Sequence, residues 1–274
     1  MTKKRIFSVV IAIAMIMSMA AFTGCGSKKA EEAPKPTNTQ ELLDANKKAN
    51  EKAETFSFKG EGDAEIKAGS QGMEMSITAN FSGDGEASKD VIHVKAKASM
   101  DMLGEKQDVA PEIYVDKKNN KVVARTEEDG KWTSSDLDMD TEEIKFEMPE
   151  SLKKQLEFKE TDDAYVLECD LSKVDIKELL KSVAEEQGDV EGLDDMLAAI
   201  EKVDAAIDSG TFTMEFDKDT CLQKSIIIKD LSGSGSSEIA EGQNMEMTVA
   251  ANLKFTFSDY DKVSDDKFEV PSVE

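Results

Sequence analysis

The feature that most constrains the fold is a strict alternation of apolar and polar residues that begins at Phe56. A period of two is typical of a β-strand with one face buried and one face in water. The alternation restarts after glycine-containing stretches at 68–72 and 83–85, so an antiparallel meander that turns at these glycines is predicted. Its apolar positions are Phe56, Phe58, Gly60, Gly62, Ala64 and Ile66, then Met73, Met75, Ile77, Ala79 and Phe81, then Ile92, Val94, Ala96, Ala98, Met100 and Met102.

Part of this pattern occurs a second time near the carboxyl end of the chain. Residues 72–81, GMEMSITANF, are echoed by residues 244–253, NMEMTVAANL, and each stretch follows a predicted strand and a glycine-containing turn. A repeated segment of this kind predicts two similar β-halves, with helices inserted between strands of one sheet. Met245 and Met247 then occupy the positions that Met73 and Met75 hold in the first half.

Helical spacing of apolar residues occurs before and between the strands. A narrow stripe predicts a helix over 40–54, capped by Thr37 or Thr39, and a short helix is expected over 149–158. Two amphipathic helices are predicted between 176 and 207. Their stripes are Ile176, Leu179, Leu180 and Val183, then Leu193, Met196, Leu197, Ile200, Val203 and Ile207. Further strands are predicted at 112–115, 121–126, 164–171, 211–217, 222–231 and 244–259, with another beginning at 130.

The charge balance restricts the partners of the chain. With 34 basic and 58 acidic residues, the formal net charge is −24. Removal of the basic residues Lys3, Lys4 and Arg5 with the first 24 residues leaves about −27. Such a charge repels nucleic-acid phosphates and anionic lipid headgroups. The balance therefore disfavours nucleic-acid binding and docking on a membrane through a basic face.

Residues 1–24 have the three parts of an export signal: a basic start, an apolar run over 6–19, and small residues before Cys25. The segment Phe22-Thr23-Gly24-Cys25 resembles the lipobox of bacterial lipoproteins. The resemblance implies that the Cys25 thiol is acylated and holds the protein on the extracytoplasmic face of the cell membrane. Residues 25–38 are predicted to be a disordered tether. The alternative is an ordinary secreted protein with a chance cysteine at this place.

The sequence offers few groups for catalysis. His93 is the only histidine, and its place in the alternation puts it on the polar face as a surface residue. Nucleophile-elbow, phosphate-loop and Cys-x-x-Cys motifs do not occur. Residues 136–147 space carboxylates like a calcium loop, but Thr141 stands where the turn needs glycine. A solvated acidic loop is expected there, and the chain is expected to be non-enzymatic, without cofactor or metal.

Two cysteines remain besides the lipobox residue, Cys169 and Cys221. An exported protein with two thiols can form one disulfide, and such a bridge would add roughly 4 kcal/mol of stability. Two free, buried thiols fit the sequence equally well. Both alternatives are kept.

Three short segments carry a wider resemblance: residues 53–58, AETFSF, residues 129–132, DGKW, and residues 217–222, DKDTCL. Together with the element order they resemble the LolA/LppX-like lipoproteins and related uncharacterised Gram-positive families. The resemblance implies a single α+β domain over 39–274, a strongly curved antiparallel half-barrel with helices packed on its concave face. In those families the last segment usually has glycine where this chain has Cys221. Some members carry lipids or lipidated proteins between sheet and helices.

The leading hypothesis is a membrane-anchored binding protein that holds a lipid or other amphiphile in an apolar interior. Methionine suits such an interior because its flexible side chain adapts to varied ligands. The runner-up is an envelope interaction or scaffold module with a packed core and an acidic outer face, whose protein partner the sequence does not name. The residues expected to line the ligand cavity are Phe56, Phe58, Met73, Met75, Phe81, Met100, Met102, Leu193, Met196, Leu197, Ile200, Met245 and Met247.

Overall fold

The computed structural model describes residues 35–70, 73–102, 104–126, 130–136, 148, 150–175, 178, 204–240 and 243–273. The helices are α1 (Thr39–Asn50) and α2 (Glu150–Lys153), with single 3-10 turns at Leu171–Lys173 and Asp265–Phe268. The strands are β1 (Thr55–Ser70), β2 (Met73–Ser88), β3 (Val91–Met102), β4 (Glu105–Val109), β5 (Pro111–Asp116), β6 (Lys121–Thr126), β7 (Thr133–Asp136), β8 (Glu157–Glu160), β9 (Ala164–Asp170), β10 (Asp204–Asp217), β11 (Gln223–Ala240) and β12 (Gln243–Ser258).

All the described strands belong to one antiparallel sheet of 12 strands. Their order is β7-β6-β5-β3-β2-β1-β12-β11-β10-β9-β8, with β4 also paired to β3. Within the described residues the sheet is open, with β7 and β8 at its edges. This arrangement confirms the predicted antiparallel sheet and is consistent with a curved half-barrel. The helices on a concave face stay a prediction.

The repeated segments lie on either side of β1. Strand β1 pairs with β2, which contains the first repeat, and with β12, which contains the second. Gly62 is opposite Phe81 on one side and Leu253 on the other, and Ile66 is opposite Ile77 and Val249 in the same way. The prediction that both halves contribute to one sheet is therefore confirmed.

The predicted turn at Gly83-Asp84-Gly85 is wrong, because β2 runs through it to Ser88 and turns at Lys89-Asp90. The glycines serve packing instead. A Cβ at Gly85 would collide with the His93 carbonyl oxygen and lie 2.7 Å from Cζ of Phe58. A strand residue without a side chain is needed where an aromatic ring packs onto the neighbouring backbone.

Helix α1 is shorter than predicted, and its cap is Asn38, between the two threonines expected to cap it. The Asn38 side chain accepts a hydrogen bond from the Glu41 backbone N–H at 3.0 Å, the usual role of an N-cap residue. Thr37 donates from both its backbone N–H and its hydroxyl to the Glu41 carboxylate, each at 2.8 Å. These bonds fix where the helix begins.

Two other helix predictions need correction. The helix expected over 149–158 covers only Glu150–Lys153, and Phe158 lies in β8. Ile207, assigned to the last amphipathic helix, lies in β10, since a β-branched residue in an alternating context also suits a strand. The remaining stripe residues, from Ile176 to Val203, lie outside the described residues.

We call the face of the sheet that carries Phe58 the apolar face. It holds two buried clusters. The first centres on Phe56, Phe58, Ile92 and Phe257. The second lies against α1, where Leu42 is buried among Tyr165, Leu167, Met214 and Phe216. Ile226 packs against both clusters, so the core is continuous along this face.

Candidate functional site

The apolar face divides into a buried part and an exposed part. In the buried part, Phe56 and Phe58 are 0 % and 2 % exposed and their ring centroids are 6.1 Å apart. Phe56 also lies 6.1 Å from Phe257 and 5.7 Å from Tyr260. The structure thus places two of the expected ligand contacts, Phe56 and Phe58, within the packed core.

The exposed part lies on the far halves of the long strands. We define the apolar tract as Ile66, Met75, Ile77, Met102, Met247 and Val249. Three of its members are among the four most exposed large hydrophobic side chains of the described residues: Ile66 at 37 %, Met75 at 41 % and Met247 at 36 %.

The strand register makes the apolar tract one surface. Ile66 pairs with Ile77 and Val249, and Ile77 pairs with Met102 on the next strand. Ala68 pairs with Met75 and with Met247. Residues directly opposite on antiparallel strands point to the same face, about 5 Å apart. The tract therefore spans β12, β1, β2 and β3 without a polar interruption.

The other expected ligand residues fall around the apolar tract or outside the described side chains. Met100, opposite Ala79, is partly buried beside it, and Phe81 stacks on Phe255 at 6.0 Å between the tract and the core. Met245 is partly buried near the end of β12. The side chain of Met73 and the residues Leu193, Met196, Leu197 and Ile200 lie outside the described part, as does Cys25.

The polar face holds a buried polar cluster that the sequence did not reveal. His93 lies on that face as predicted, but it is only 5 % exposed. Its ring stacks on Tyr114 with centroids 4.1 Å apart, and Nε2 donates to Glu112 Oε1 at 3.0 Å. Nδ1 is 3.2 Å from Glu86 Oε2, out of line for a hydrogen bond.

The prediction that His93 is a surface residue is wrong, because the carboxyl-terminal segment covers this part of the polar face. Phe268 and Val270 pack with Val91, Tyr114 and Val123 on the polar face, over a stretch that alternation alone assigns to solvent. Trp132 joins this cluster, and the Arg125 guanidinium lies 4.7 Å from its ring centre. An apolar residue at an odd position, Val91 or Val123, was the available signal.

Glu112 is the electrostatic centre of this cluster. Arg125 donates to its Oε2 from Nε at 2.9 Å and from Nη2 at 2.6 Å. Burial alone would raise the pKa of Glu112, but the hydrogen bonds from Arg125 and His93 and the charges of Lys95 and Arg125 together hold the pKa below its ordinary value. The arrangement stabilises a carboxylate and leaves no free acid or base for catalysis at Glu112.

Both cysteines are free thiols buried in the cluster beneath α1. Cys169 is opposite Phe212 on β10, whereas Cys221 follows the turn after Asp217. At about 3.3 Å per strand residue these places are roughly 16 Å apart along β10. A disulfide requires Cα atoms within about 7 Å, so this geometry favours the free-thiol alternative. Burial raises the pKa of each thiol.

Among the described residues, no group of three or more His, Cys, Asp or Glu side chains could hold a metal ion. Asp136 is exposed at the end of β7, while the rest of the calcium-like segment lies outside the described part. None of the described helices is both long and apolar enough to cross a membrane.

Comparison with known proteins identifies a family without an assigned activity. The family described as "Family of unknown function (DUF6612)" matches residues 38–273. No curated protein matches the chain.

Solved structures resemble the chain only weakly. A DUF1329 family protein from Desulfovibrio piger is 11% identical, with 84% of this chain and 97% of that chain covered and a TM-score of 0.22. Neisserial surface protein A is 7% identical, with coverage of 73% and 96% and a TM-score of 0.16. The translocator domain of the autotransporter NalP from Neisseria meningitidis is 5% identical, with coverage of 79% and 93% and a TM-score of 0.20. Such low scores carry no argument about function.

Proposed function

Because the chain belongs to DUF6612, a family of unknown function, we propose from its own residues that it is a non-enzymatic binding protein of the cell envelope. In this proposal the acylated Cys25 anchors it to the extracytoplasmic face of the membrane. The apolar tract then binds the acyl chain of a lipid or of another amphiphile. The observation that carries the proposal is the exposure of Ile66, Met75 and Met247 on one continuous surface.

The chemistry of the apolar tract supports an acyl chain as its occupant. Its side chains are aliphatic or methionine, and the aromatic rings lie nearer the packed core, where Phe81 stacks on Phe255. A surface of this kind offers no hydrogen-bond partner, so it suits a ligand without polar groups along its length. Methionine contributes a flexible, polarizable side chain that accommodates varied apolar shapes.

The two faces of the far sheet differ in a way that also supports binding on one side. On the polar face the neighbours of the apolar tract are Glu65, Lys67, Ser76 and Thr248. Lys67 and Glu65 form an ion pair at 3.1 Å, with both side chains well exposed. Water therefore solvates the polar face readily, whereas contiguous exposed apolar side chains mark binding surfaces in soluble domains.

A binding titration tests the apolar tract. The mature chain from residue 25, with Cys25→Ser to prevent acylation, would be titrated with a fluorescent fatty acid. Met75→Asp and Met247→Asp are each expected to weaken binding by about tenfold or more, because an unpaired carboxylate against an acyl chain is poorly solvated. Both side chains are exposed, so neither variant should unfold the domain.

Thr248→Asp is the matched control for Met247→Asp. It places the same charge one residue away on the opposite face, at an exposed position of β12, and should leave the affinity unchanged. Equal losses in both variants, or no uptake by the parent chain, would contradict the proposal. If the parent chain takes up no fatty acid, the result favours the runner-up, an interaction module with a packed core.

The anchor has a separate test. Cells that express the full chain with Cys25 intact should incorporate labelled palmitate into the protein and hold it in the membrane fraction. The Cys25→Ser full chain should lose the label. If the intact chain is secreted without label, the anchor is refuted and the binding proposal stands or falls on its own titration.

A further inference from the structure

The polar face contains a groove of about 920 Å³ above β1, β2 and β3. Its floor is formed by the backbone at Gly60, Gly83 and Ala96, and one side is formed by Ala110 and Pro111. Strands β4 and β5 pair with β3 in the same register, but the ladder to β3 is interrupted between them, at Ala110 and Pro111. Proline has no N–H to donate to the ladder. The groove lies on the opposite face from the apolar tract.

The groove is basic in a strongly acidic chain. Five basic side chains line it: Lys59, Lys95, Lys97, Arg125 and Lys254. Three acidic side chains oppose them: Glu61, Asp84 and Glu112. The whole chain, in contrast, has 34 basic and 58 acidic residues. The net charge of the protein therefore conceals a local excess of positive charge.

Three of these lysines are available to a ligand. Glu112 is already bound by Arg125 at 2.6 Å and by Lys95 at 3.4 Å. Lys59, Lys97 and Lys254 form no ion pair with any described residue, whereas Lys67 on β1 is paired with Glu65. An ammonium group that forms no ion pair can bind an external anion without first breaking one.

The register places the three lysines around the groove floor. Lys254 is opposite Glu61, Glu61 is opposite Ser82, and Ser82 is opposite Lys97. Three strand spacings of about 4.8 Å put the backbones of Lys254 and Lys97 roughly 14 Å apart. Lys59 lies two residues from Glu61 on β1, one of the two strands between them. Flexible lysine side chains can converge across that span on one ligand.

We propose that this groove binds a ligand with two or more phosphate groups. Lysine binds phosphate as a point charge, and three separated ammonium groups match several charges better than one. The groove has a volume within the range of small-molecule sites. Glu61 and Asp84 repel any anion, so binding depends on the local excess of basic side chains and is strongest at low ionic strength, where salt screens that excess least.

The negative net charge of the chain does not prevent an anion from binding in this groove. At physiological salt, charges farther away than a Debye length of about 8 Å act on the ligand only weakly. Phosphate clusters of this kind occur in soluble polyphosphorylated molecules and in the two-phosphate headgroup of the anionic phospholipid cardiolipin. Both sources present the same chemistry, and the experiment separates them.

Calorimetric titration of the mature chain with inorganic tripolyphosphate at low salt tests the groove. The triple variant Lys59→Gln, Lys97→Gln, Lys254→Gln is expected to lose about tenfold in affinity, the sum of three exposed charge contacts. The matched control is Lys67→Gln, Lys106→Gln, Lys118→Gln, which removes the same charge from exposed lysines outside the groove. The control should keep the parent affinity within about twofold.

Flotation with vesicles identifies the source of the phosphate. Binding to cardiolipin vesicles but not to phosphatidylcholine vesicles, lost in the groove variant alone, assigns the site to a lipid headgroup with two phosphates. Binding of tripolyphosphate without flotation assigns it to a soluble ligand. Absence of both, or equal loss in groove and control variants, overturns the proposal. Met247→Asp lies on the other face and should not alter either result, so this test is independent of the apolar tract.

Discussion

Met75 and Met247 lie on either side of Ala68, each directly opposite it on a neighbouring strand. They are 172 positions apart in the sequence, as are Ile77 and Val249, which flank Ile66 in the same manner. The repeated segment is therefore used twice around one central strand. The small side chain of Ala68 leaves room between the two methionines, and both side chains are exposed.

This symmetry explains why the apolar tract is broad. One copy of the repeat would supply a ridge on one strand, but two copies on both sides of β1 supply a surface across several strands. Conversely, the near ends of the same strands carry the aromatic residues that form the buried core. In one half of the sheet the apolar face is thus buried in the core, and in the other half the apolar face is accessible.

Gly85→Ala should strongly destabilise the protein. The added methyl group would collide with the carbonyl oxygen of His93, and it would lie 2.7 Å from Cζ of the buried Phe58. Overpacking of this kind costs about 1–3 kcal/mol. Urea unfolding would measure it, with Ser82→Ala on the exposed face of the same strand as the control. An unchanged midpoint for Gly85→Ala would mean that the ring of Phe58 does not pack there.

Glu112→Gln should make the stability of the protein less sensitive to acid. Because interactions in the folded state hold the pKa of Glu112 below its ordinary value of 4.5, its contribution is present above about pH 4.5 and is lost as the pH falls toward the folded-state pKa. The variant should lose roughly 1–2 kcal/mol at pH 7 and show a shallower decline in unfolding free energy between pH 5 and 3. Parallel declines in both proteins would contradict this.

At position 221 the glycine variant should be more stable than the alanine variant, which is the reverse of the usual order. Cys221 adopts a left-handed backbone with φ of 57°, in a turn where the Asp217 carboxylate accepts hydrogen bonds from Asp219 and Thr220. Cys221→Gly should therefore be about 1 kcal/mol more stable than Cys221→Ala. The control is Cys169, a regular strand position near the end of β9, where the alanine variant should be the more stable of the two. The same order at both positions would show that the turn is not strained.

The two thiols should be free and slow to react. Both lie buried in one cluster, and burial raises the pKa of each, so the reactive thiolate is scarce. A thiol assay on unreduced mature chain carrying Cys25→Ser should count two thiols after denaturation and few before it. A count of zero after denaturation would establish a disulfide.

Much of the sheet could be predicted from alternation alone. The faces of Phe56, Met75 and Met247 follow from parity, because the side-chain period of a strand is two. The turn at 83–85 was misplaced because glycine also occurs within strands under aromatic rings, and sequence does not distinguish a turn glycine from a packing glycine. The start of β10 was missed because Ile207 fits a helical stripe and a strand equally.

The candidate sites were predictable only in part. The apolar tract follows from parity, but the division between buried Phe58 and exposed Met75 depends on which parts of the sheet are covered. The cluster around His93 depends on the carboxyl-terminal Phe268 folding back onto β3, a long-range contact without a local signal. The groove arises from side chains on six strands, so no single segment shows its excess of lysine.

Native mass spectrometry of the mature chain after mild purification from bacterial membranes shows whether the apolar tract holds a lipid. We expect an adduct with the mass of a lipid or other amphiphile, which disappears after organic extraction and is absent from the Met75→Asp, Met247→Asp double variant. Thr248→Asp should keep the adduct. A clean mass for the parent chain, with no uptake of added fluorescent fatty acid, would contradict a lipid-binding role for the apolar tract.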